Sequence, residues 1–366
     1  MMRPTTATVR LDDIVHNYRL ACRLAPESRN IAVIKANAYG HGAQEVAEAL
    51  QPLVPAFAVA LIEEAVALRE AGVTKPILVL QGVNDAVEIQ TAAEHDFWLL
   101  LHRQRQVDEL VSSKPAKPVG VWLKLDTGMH RMGFSPEQLG PVCRQLRSSQ
   151  MTRQKLVLCT HLACADDVKD PMTPRQANAA RTCSEEHGLG LSIANSAGIM
   201  QWPITHAEWS RPGYMLYGNC PSGAFDAGSS ELRPAMTMSS EVFAIRHLRE
   251  GEGVGYGQVW KAERPSVIGT VPIGYGDGYP RHAPRGTPVL VNGRRVPLVG
   301  RVSMDAIAVD LTEIQGVEIG DPVELWGENL SVNEVASYSG TIGYEILAGL
   351  TGRVPLKHVI SRHSPR

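Results

Sequence analysis

The chain has 366 residues, 44% of them hydrophobic, and its 36 Lys and Arg against 38 Asp and Glu give a formal charge of −2. This length exceeds what one core usually holds, so we expect one large and one smaller domain. The near-neutral charge argues against nucleic acid or an acidic membrane surface as a partner. No apolar run reaches the roughly 18 residues of a membrane span. The first residues lack the apolar core of a secretory signal, and the six cysteines show no paired spacing, which predicts a cytoplasmic protein with reduced thiols.

Short apolar runs typical of buried β-strands recur along the first 210 or so residues. They lie near residues 30–35, 56–60, 77–80, 97–101, 118–125, 155–160, 189–194 and 206–210. Helical patterns separate most of them. Eight strands that alternate with helices predict a (β/α)8 barrel, although the pattern alone leaves a doubly wound open sheet possible.

Several residues mark where the helices between these strands begin and end. Ser135 and Thr173 are each followed by a Pro and then by a Gln three residues on, which predicts a capped helix start at both places. Asn84 and Asp85 are expected to open another helix, which ends near His95. Gly72 and Gly188 follow periodic segments and are expected to end them.

The character of the sequence changes after a small, polar stretch at residues 221–230, which we interpret as a linker. The chain beyond it is rich in short β-type runs. One pair of runs flanks Asn292 and Gly293, the residue pair that a type I′ hairpin turn favours. We therefore predict a barrel domain over residues 1–231 and a mostly-β domain over residues 232–366.

Lys35 ends the first of the apolar runs, IAVIK, and a loop follows it at once. Its backbone is therefore held by the strand while its amine faces the open end of the barrel. Partial burial lowers the pKa of an amine, and a neutral amine is the form that makes a Schiff base with an aldehyde such as that of pyridoxal 5′-phosphate (PLP).

Other polar and aromatic side chains follow the remaining predicted strands at the same end. They are Tyr39 after the first strand, Lys124, Asp126 and Arg131 after the fifth, His161 after the sixth, Asn195 and Ser196 after the seventh, and Arg211 and Gly213 after the eighth. In a barrel the active site lies at this end, and phosphate commonly binds the loops after strands seven and eight. The sequence thus predicts one mouth that holds a Schiff-base lysine and a phosphate site.

Each of these residues also has an ordinary structural interpretation. His161 could be a core histidine, and Arg131 could simply pair with Asp126. Asp166 and Asp167 near His161 could suggest a metal site, but no HxH or HExxH pattern accompanies them and we expect no metal. The prediction depends on the convergence of these residues at one face and not on any one of them.

Motifs throughout the chain resemble those of the alanine racemase family. The members of that family are fold-type III PLP enzymes. The segment around Lys35, AVIKANAYGHG, is similar to the PLP-lysine motif of that family. Further similar blocks, in the family's order, are LKLDTGMHRMG (123–133), THLA (160–163), ANSA (194–197), RPG (211–213), VGYG (254–257), PIGY (272–275), GRVSMD (300–305) and TIGYE (341–345). The resemblance covers nearly the whole chain and implies that the cofactor is PLP.

The resemblance implies interconversion of L-alanine and D-alanine by two bases on opposite faces of the substrate Cα. Lys35 would carry PLP and act as one base, and Tyr256 would be the other. Arg131 and the backbone of Met304 would bind the substrate carboxylate, and Lys124 is a possible carboxylated lysine. The residues around the cofactor would be Tyr39, His161, Asn195, Ser196, Arg211, Gly213, Tyr214 and Tyr344, with Arg211 facing the pyridine nitrogen.

A phenol with an unperturbed pKa of about 10 is roughly 0.1% ionised at pH 7. We therefore expect positive charge on Arg131 and His161 to lower the pKa of Tyr256. Two positions depart from the family pattern: Ser303 stands where many relatives have Cys, and Ser192 stands where some have His behind the pyridine-facing arginine.

Tyr256 and Met304 belong to the predicted β domain, whereas Lys35 belongs to the barrel. In the family this domain of one subunit caps the barrel of the other, which implies a homodimer with composite active sites. An arrangement in which the β domain folds back onto its own barrel stays open at this point.

Three other functions are compatible with parts of this pattern. A PLP-dependent decarboxylase of similar plan would need a C-terminal Cys-Asp pair, and the chain has no cysteine after Cys220. A non-catalytic PLP-binding barrel would lack the β domain and its tyrosine. A racemase of broader amino acid specificity would typically be exported. The sequence leaves open a biosynthetic or catabolic role, the kinetic preference, the carboxylation of Lys124 and the balance of monomer and dimer.

Overall fold

The computed structural model describes residues 3–221 and 231–360. Apart from Pro221, the predicted linker lies outside these residues. The strands are β1 Thr6–Arg10, β2 Arg29–Asn30, β3 Ala32–Val33, β4 Phe57–Val59, β5 Ile77–Val79, β6 Phe97–Leu101, β7 Val119–Lys124, β8 Thr152–Cys159, β9 Gly190–Ser192, β10 Trp209–Ser210, β11 Met236–Glu241, β12 Ala244–Leu248, β13 Gly253–Val254, β14 Trp260–Lys261, β15 Ser266–Val271, β16 Pro288–Val291, β17 Arg294–Val299, β18 Ile307–Asp310, β19 Pro322–Trp326 and β20 Leu356–Val359.

The helices alternate with the strands over the first part of the chain. They are α1 Leu11–Leu24, α2 Lys35–Gly40, α3 Ala43–Leu50, α4 Ile62–Glu70, α5 Ala86–Glu94, α6 Gln104–Ser113, α7 Pro136–Ser149, α8 Met172–His187, α9 Ser196–Gln201, α10 Val332–Tyr338 and α11 Gly343–Ala348. Of these, α2 has a left-handed backbone, which is described with the site below.

Strands β2 to β10 form a parallel sheet in the order β2-β10-β9-β8-β7-β6-β5-β4-β3. Only Ile31 separates β2 from β3, so the two are halves of one broken strand. One half pairs with β10 and the other with β4, which joins the two ends of the sheet. The predicted (β/α)8 barrel is confirmed, and the open doubly wound sheet is wrong for this chain.

Strands of this sheet are apolar along their whole length because both of their faces are covered. Every residue of β6 and β7 is buried, as a parallel sheet between helices and a filled interior requires. Three tryptophans fill much of the interior: Trp98, Trp122 and Trp209 pack against one another with ring centroids 5.6 to 6.2 Å apart.

The predicted helix boundaries are mostly confirmed. Helix α7 begins at Pro136, and the backbone N–H of Ser135 donates to Gln138 Oε1 over 2.9 Å. Asp85 precedes α5 and accepts from the N–H of Glu88, 3.0 Å away. Gly72 and Gly188, with φ of 90° and 60°, follow the ends of α4 and α8 as expected.

The expected cap at Thr173 is wrong, because α8 already begins at Met172. Gln176, which would have closed that cap, instead points its amide toward the loops after β7 and β8. The Gln176 Nε2 donates to Thr127 Oγ1 and to the carbonyl of His161, each over 3.0 Å. The local pattern was overridden by these tertiary hydrogen bonds.

A second sheet contains nine strands in the order β12-β15-β18-β17-β16-β19-β11-β1-β20. Its pairs are antiparallel except for β1 with β20. The predicted mostly-β C-terminal domain is confirmed, and the sheet also includes the N-terminal strand β1. The division at residues 231 and 232 stays a prediction.

The hairpin of β16 and β17 turns at Asn292 and Gly293, with φ of 50° and 73°, as the sequence predicted.

No helix within residues 3–221 and 231–360 combines the length and apolar character needed to cross a membrane.

Gly120 tests how tightly the tryptophans fill the barrel, because a Cβ atom there would overlap the ring of Trp98. Gly120→Ala is therefore expected to lower the free energy of unfolding by about 1–3 kcal/mol, the usual range for overpacking a core. Gly352 is a matched control, since a Cβ there meets no atom within 4 Å and Gly352→Ala should change stability by less than about 0.5 kcal/mol. Denaturant unfolding measures the free energy of unfolding of both variants. Equally small changes in the two would contradict the tight packing of Trp98 against residue 120.

Candidate active site

A cavity of about 650 Å³ opens where the barrel strands end. Its wall includes the last residue of β7 and residues within three positions after the ends of β3, β8, β9 and β10. Residues of α11 and the Ile342 before it line one side. The cavity therefore lies at the C-terminal face of the barrel, where active sites of this fold occur.

Most of the residues predicted from the sequence line this cavity. They are Lys35, Tyr39, Lys124, Arg131, His161, Asn195, Ser196, Arg211, Gly213, Tyr214 and Tyr344. Two do not: Tyr256, in the separate two-stranded hairpin of β13 and β14, and Met304, in the loop before β18, are 70% and 51% exposed. A single chain thus holds the cofactor part of the predicted site but not the second base.

Lys35 lies at the start of an unusual stretch of backbone. The four residues after it, Ala36 to Tyr39, all have φ of 52° or 53° and ψ between 42° and 52°. This is a left-handed turn made without glycine, and each such residue costs about 1–2 kcal/mol relative to the right-handed form. Strain of this kind persists only where surrounding contacts fix it, and it is commonly found at functional sites.

Glu64 is one of the contacts that hold this turn, and sequence reasoning missed it. Its Oε1 accepts from the N–H of Ala36 over 2.6 Å, and its Oε2 accepts from the N–H of Ala60 over 2.7 Å. The carboxylate therefore links the Lys35 loop to the loop after β4. The only local signal was its position in the first turn of α4, where an acid is common for capping reasons alone.

The Lys35 amine is biased toward its neutral form. Burial lowers its pKa, the positive charge of Arg131 lowers it further, and Glu64 opposes both. This agrees with the expectation from its strand-end position.

Arg211 is only 6% exposed, and a hydroxyl and carbonyls satisfy its guanidinium. Nη1 donates to Ser192 Oγ over 2.5 Å, and Nη2 donates to the carbonyls of Thr160 and Ile193 over 2.6 and 3.2 Å. Ser192 is itself fully buried. The serine that departs from the family pattern therefore still fixes the arginine, through one short hydrogen bond.

His161 does not carry the positive charge that the sequence analysis expected. Burial lowers its pKa well below the usual value, and the nearby charges of Lys124, Arg211, Arg131 and Lys35 lower it further. The ring is therefore neutral near pH 7. The expectation that it helps to ionise Tyr256 is wrong because a buried imidazole surrounded by cations releases its proton; Arg131 remains the candidate for that effect.

Lys124 is buried at the end of β7, with 7% of its area exposed. Burial, together with Arg211 and Arg131, lowers its pKa to about 8. A substantial fraction of its amine is therefore neutral near physiological pH.

Ser196, Gly213 and Tyr39 meet at the side of the cavity formed by the last two barrel loops. Ser196 Oγ accepts from the N–H groups of Gly213 and Met215 over 3.0 and 3.2 Å, which leaves its hydroxyl proton to donate elsewhere. A Cβ at residue 213 would lie 3.0 Å from the Tyr39 hydroxyl oxygen, so glycine allows that hydroxyl to approach. Asn195 caps α9 through Gly198, as a helix-capping residue would.

Two tyrosines join the barrel to α11 at the cavity wall. The rings of Tyr214 and Tyr344 stack with centroids 3.6 Å apart, and the Tyr214 hydroxyl donates to Asn333 Oδ1 over 2.5 Å. The packing couples this side of the cavity to the second sheet.

The loop that carries Met304 is held rigidly by its backbone. The N–H of Tyr275 donates to the carbonyl of Ser303, and the N–H of Gly276 donates to that of Met304, over 3.0 and 2.9 Å. Arg353 then bridges Asp305 and the buried Asp277. The Met304 loop is therefore exposed but held in one conformation, which is typical of a loop that binds another molecule.

Within the described part of the chain, no group of three His, Cys, Asp or Glu residues is arranged to hold a metal ion.

Models of two domains match the chain over most of its length. The model described as "Alanine racemase, N-terminal domain" matches residues 9–221, and the model described as "Alanine racemase, C-terminal domain" matches residues 235–358. The chain belongs to the alanine racemase family.

Individual relatives agree with the family models. A protein of Chromohalobacter salexigens named alanine racemase is 49% identical over 98% of both chains. The crystal structure of the biosynthetic alanine racemase from Pseudomonas aeruginosa superposes with a TM-score of 0.95 at 46% identity, covering 98% of this chain and 100% of that one. The Bartonella henselae alanine racemase, described with covalently bound pyridoxal phosphate, superposes with a TM-score of 0.90 at 30% identity, covering 98% and 100%.

The strain in the turn after Lys35 can be measured with Ala36→Gly. Ala36 is exposed, so the change removes a left-handed penalty of about 1–2 kcal/mol and adds about 0.5–1 kcal/mol of unfolded-chain entropy. We expect the free energy of unfolding to rise by about 0.5–1 kcal/mol. Ala67, exposed in the right-handed helix α4, is the control: Ala67→Gly should lower stability by about 1 kcal/mol. The free energy of unfolding is measured with denaturant for both variants. A change of the same sign in both would contradict the presence of strain in the turn.

Proposed function

We propose that this protein is a PLP-dependent alanine racemase, which interconverts L-alanine and D-alanine. The observation that carries the proposal is the cavity at the barrel mouth, where a lysine of lowered pKa and a buried arginine line the same space in a member of the alanine racemase family. Relatives with this name align over nearly their full length.

The charges of the cavity suit the cofactor. Among the residues that the structure describes, its wall contains the positive side chains of Lys35, Lys124, Arg131 and Arg211 and one carboxylate, that of Glu345. Such a surface favours a ligand that carries phosphate. The hydroxyl of Ser196, whose lone pairs accept two backbone N–H groups, would donate to the phosphate, and Tyr39, Asn195, Gly213, Tyr214 and Tyr344 would surround it.

PLP, when bound, delocalises the electron pair left on the substrate Cα after its proton is removed. Lys35 Nζ would accept or return that proton on one face of the carbon, and the Tyr256 hydroxyl would do so on the other. Arg211 would face the ring nitrogen without donating a proton to it, since a guanidinium has a pKa above about 12. This would limit delocalisation into the ring and favour reprotonation of Cα.

The substrate carboxylate would be bound by Arg131, at the mouth, and by the backbone N–H of Met304. Met304 N–H makes no backbone hydrogen bond within the described part of the chain. Both donors would fix the amino acid so that its Cα lies between the two bases.

We further propose that Lys124 becomes carboxylated. Its neutral amine would attack CO2, forming an N–C bond and releasing one proton to water. A pKa of about 8 provides the neutral amine. The resulting carbamate would place a negative charge beside Arg131 and Arg211, where burial makes an uncompensated cluster of cations costly.

We infer a homodimer in which each active site is composite. Tyr256 and Met304 do not line the cavity of their own chain and are largely exposed. Val259 and Tyr275 nearby are also exposed, by 53% and 40%. A second copy of the chain would cover this apolar surface and receive the tyrosine at its own barrel mouth. The cytoplasmic location stays a prediction.

The proposed reaction is tested with purified protein loaded with PLP. Incubation with L-alanine should yield D-alanine in chiral analysis, and the visible absorbance of lysine-bound PLP should disappear in Lys35→Ala together with the activity. The exposed Lys117 is the control, and Lys117→Ala should retain both. A bound cofactor without any D-alanine would favour the non-catalytic barrel, and equal rates with many amino acids would favour a racemase of broader specificity.

The composite site is tested by combining two inactive chains. Lys35→Ala and Tyr256→Phe would each inactivate a homodimer, but a mixed dimer purified with two different tags would contain one complete site out of two. Its activity should be about half that of the wild-type dimer. A mixed dimer as inactive as its parents would contradict the exchange of residues between subunits, as would a fully active monomer in sedimentation.

A further inference from the structure

His41 belongs to the AYGHG segment that the sequence analysis singled out, yet the proposed reaction assigns it no role. The side chain is fully buried six residues after Lys35, directly behind the left-handed turn. Its position raises the question of what a buried imidazole does there.

The imidazole makes its hydrogen bonds to the turn itself. His41 Nδ1 lies 3.1 Å from the carbonyl oxygen of Ala38 and 3.0 Å from that of Tyr39. A carbonyl can only accept, so Nδ1 must carry the proton and donate. The backbone N–H of His41 also donates to the Ala38 carbonyl, over 3.1 Å. Two donors from one residue therefore hold the end of the turn.

The ring also connects the two ends of the turn through Tyr217. It stacks on the Tyr217 ring with centroids 4.4 Å apart, and that ring packs against Tyr39 at 4.9 Å. The Tyr217 hydroxyl donates to the carbonyl of Val33 over 3.0 Å. Val33 lies two residues before Lys35, so His41 and Tyr217 together bracket the lysine from both sides.

The surroundings keep this imidazole neutral. Burial, opposed by the two carbonyls and assisted by the nearby His358, lowers the pKa of His41 to about 4. The other titratable groups that face it are Glu45, which lies beside His358, and the phenols of Tyr39 and Tyr217. Its Nε2 has no hydrogen-bond partner among residues 3–221 and 231–360, so Nδ1 alone provides the polar contact.

We propose that His41, backed by Tyr217, is a positioning residue for Lys35. The left-handed turn is intrinsically unfavourable. Without the Nδ1 donor, the Tyr39 carbonyl would lose its hydrogen bond to His41, and the Ala38 carbonyl would keep only the one from the His41 backbone N–H. The lysine amine would then sample positions away from the cofactor aldehyde and the substrate Cα. The inference rests on the proposed function only in so far as Lys35 binds PLP and moves the Cα proton.

His41→Asn and His41→Leu form the matched pair for the test. The two side chains have nearly the same shape and both remove the stacked ring, but only Asn retains an N–H that can donate to the turn. At saturating PLP, we expect kcat for L-alanine to be about tenfold or more lower in the Leu variant than in the Asn variant, because small misplacements of a catalytic group cost up to about 100-fold. KM should stay within about twofold, since Arg131 and Met304 are unchanged. Equal kcat values for the two variants would overturn the proposal.

A second readout does not depend on racemisation. The rate at which Lys35 combines with added PLP, followed by absorbance and by borohydride trapping, should fall in the Leu variant and be retained in the Asn variant. If wild-type protein binds PLP but makes no D-alanine, the proposed function fails while this rate still decides the role of His41. If His41→Leu does not fold, Tyr217→Phe replaces it. This variant keeps the ring and loses the bond to Val33, and an unchanged rate and kcat would then overturn the proposal.

Discussion

The concentration of positive charge at the barrel mouth is the constraint on which the site depends. Lys35, Lys124, Arg131 and Arg211 line one cavity, and Arg211 is held by a hydroxyl and carbonyls rather than by a carboxylate. Burial, together with their mutual repulsion, keeps His161 neutral and lowers the pKa of both lysines. The same positive field that helps to lower these pKa values favours an anionic cofactor.

Backbone geometry provides the second requirement, which is precision. The lysine is attached to a short strand on one side and to a strained turn on the other, and Glu64, His41 and Tyr217 supply the hydrogen bonds and ring contacts that keep the turn in place. A strained segment held from several directions has few alternative conformations. The proton transfer proposed for Lys35 would require such a placement, since its amine would have to reach the cofactor and the substrate carbon in turn.

The sequence predicted the parts of this structure that depend on local or strictly periodic signals. The barrel strands follow from apolar runs, and the hairpin at Asn292 and Gly293 follows from turn chemistry, because each is specified within a few residues. Most of the cavity residues followed from their position at strand ends. The charge state of His161 and the role of Gln176 could not be predicted, since they depend on cations and loops brought together from distant parts of the chain. The left-handed turn was equally hidden, because Asn37 is the one residue of ANAY that tolerates this backbone and it usually does so singly.

The position of β1 in the second sheet has a consequence for how the chain reaches its native state. This strand, made before any part of the barrel, pairs with β11 on one side and with β20, the final strand of the sheet, on the other. During synthesis the barrel sequence can be complete before β11 and β20 have been made. Strand β1 therefore stays unpaired until most of the chain has emerged from the ribosome. Contacts of such high sequence separation form slowly. The barrel can begin to fold early, whereas the nine-stranded sheet can close only after β20 has been made.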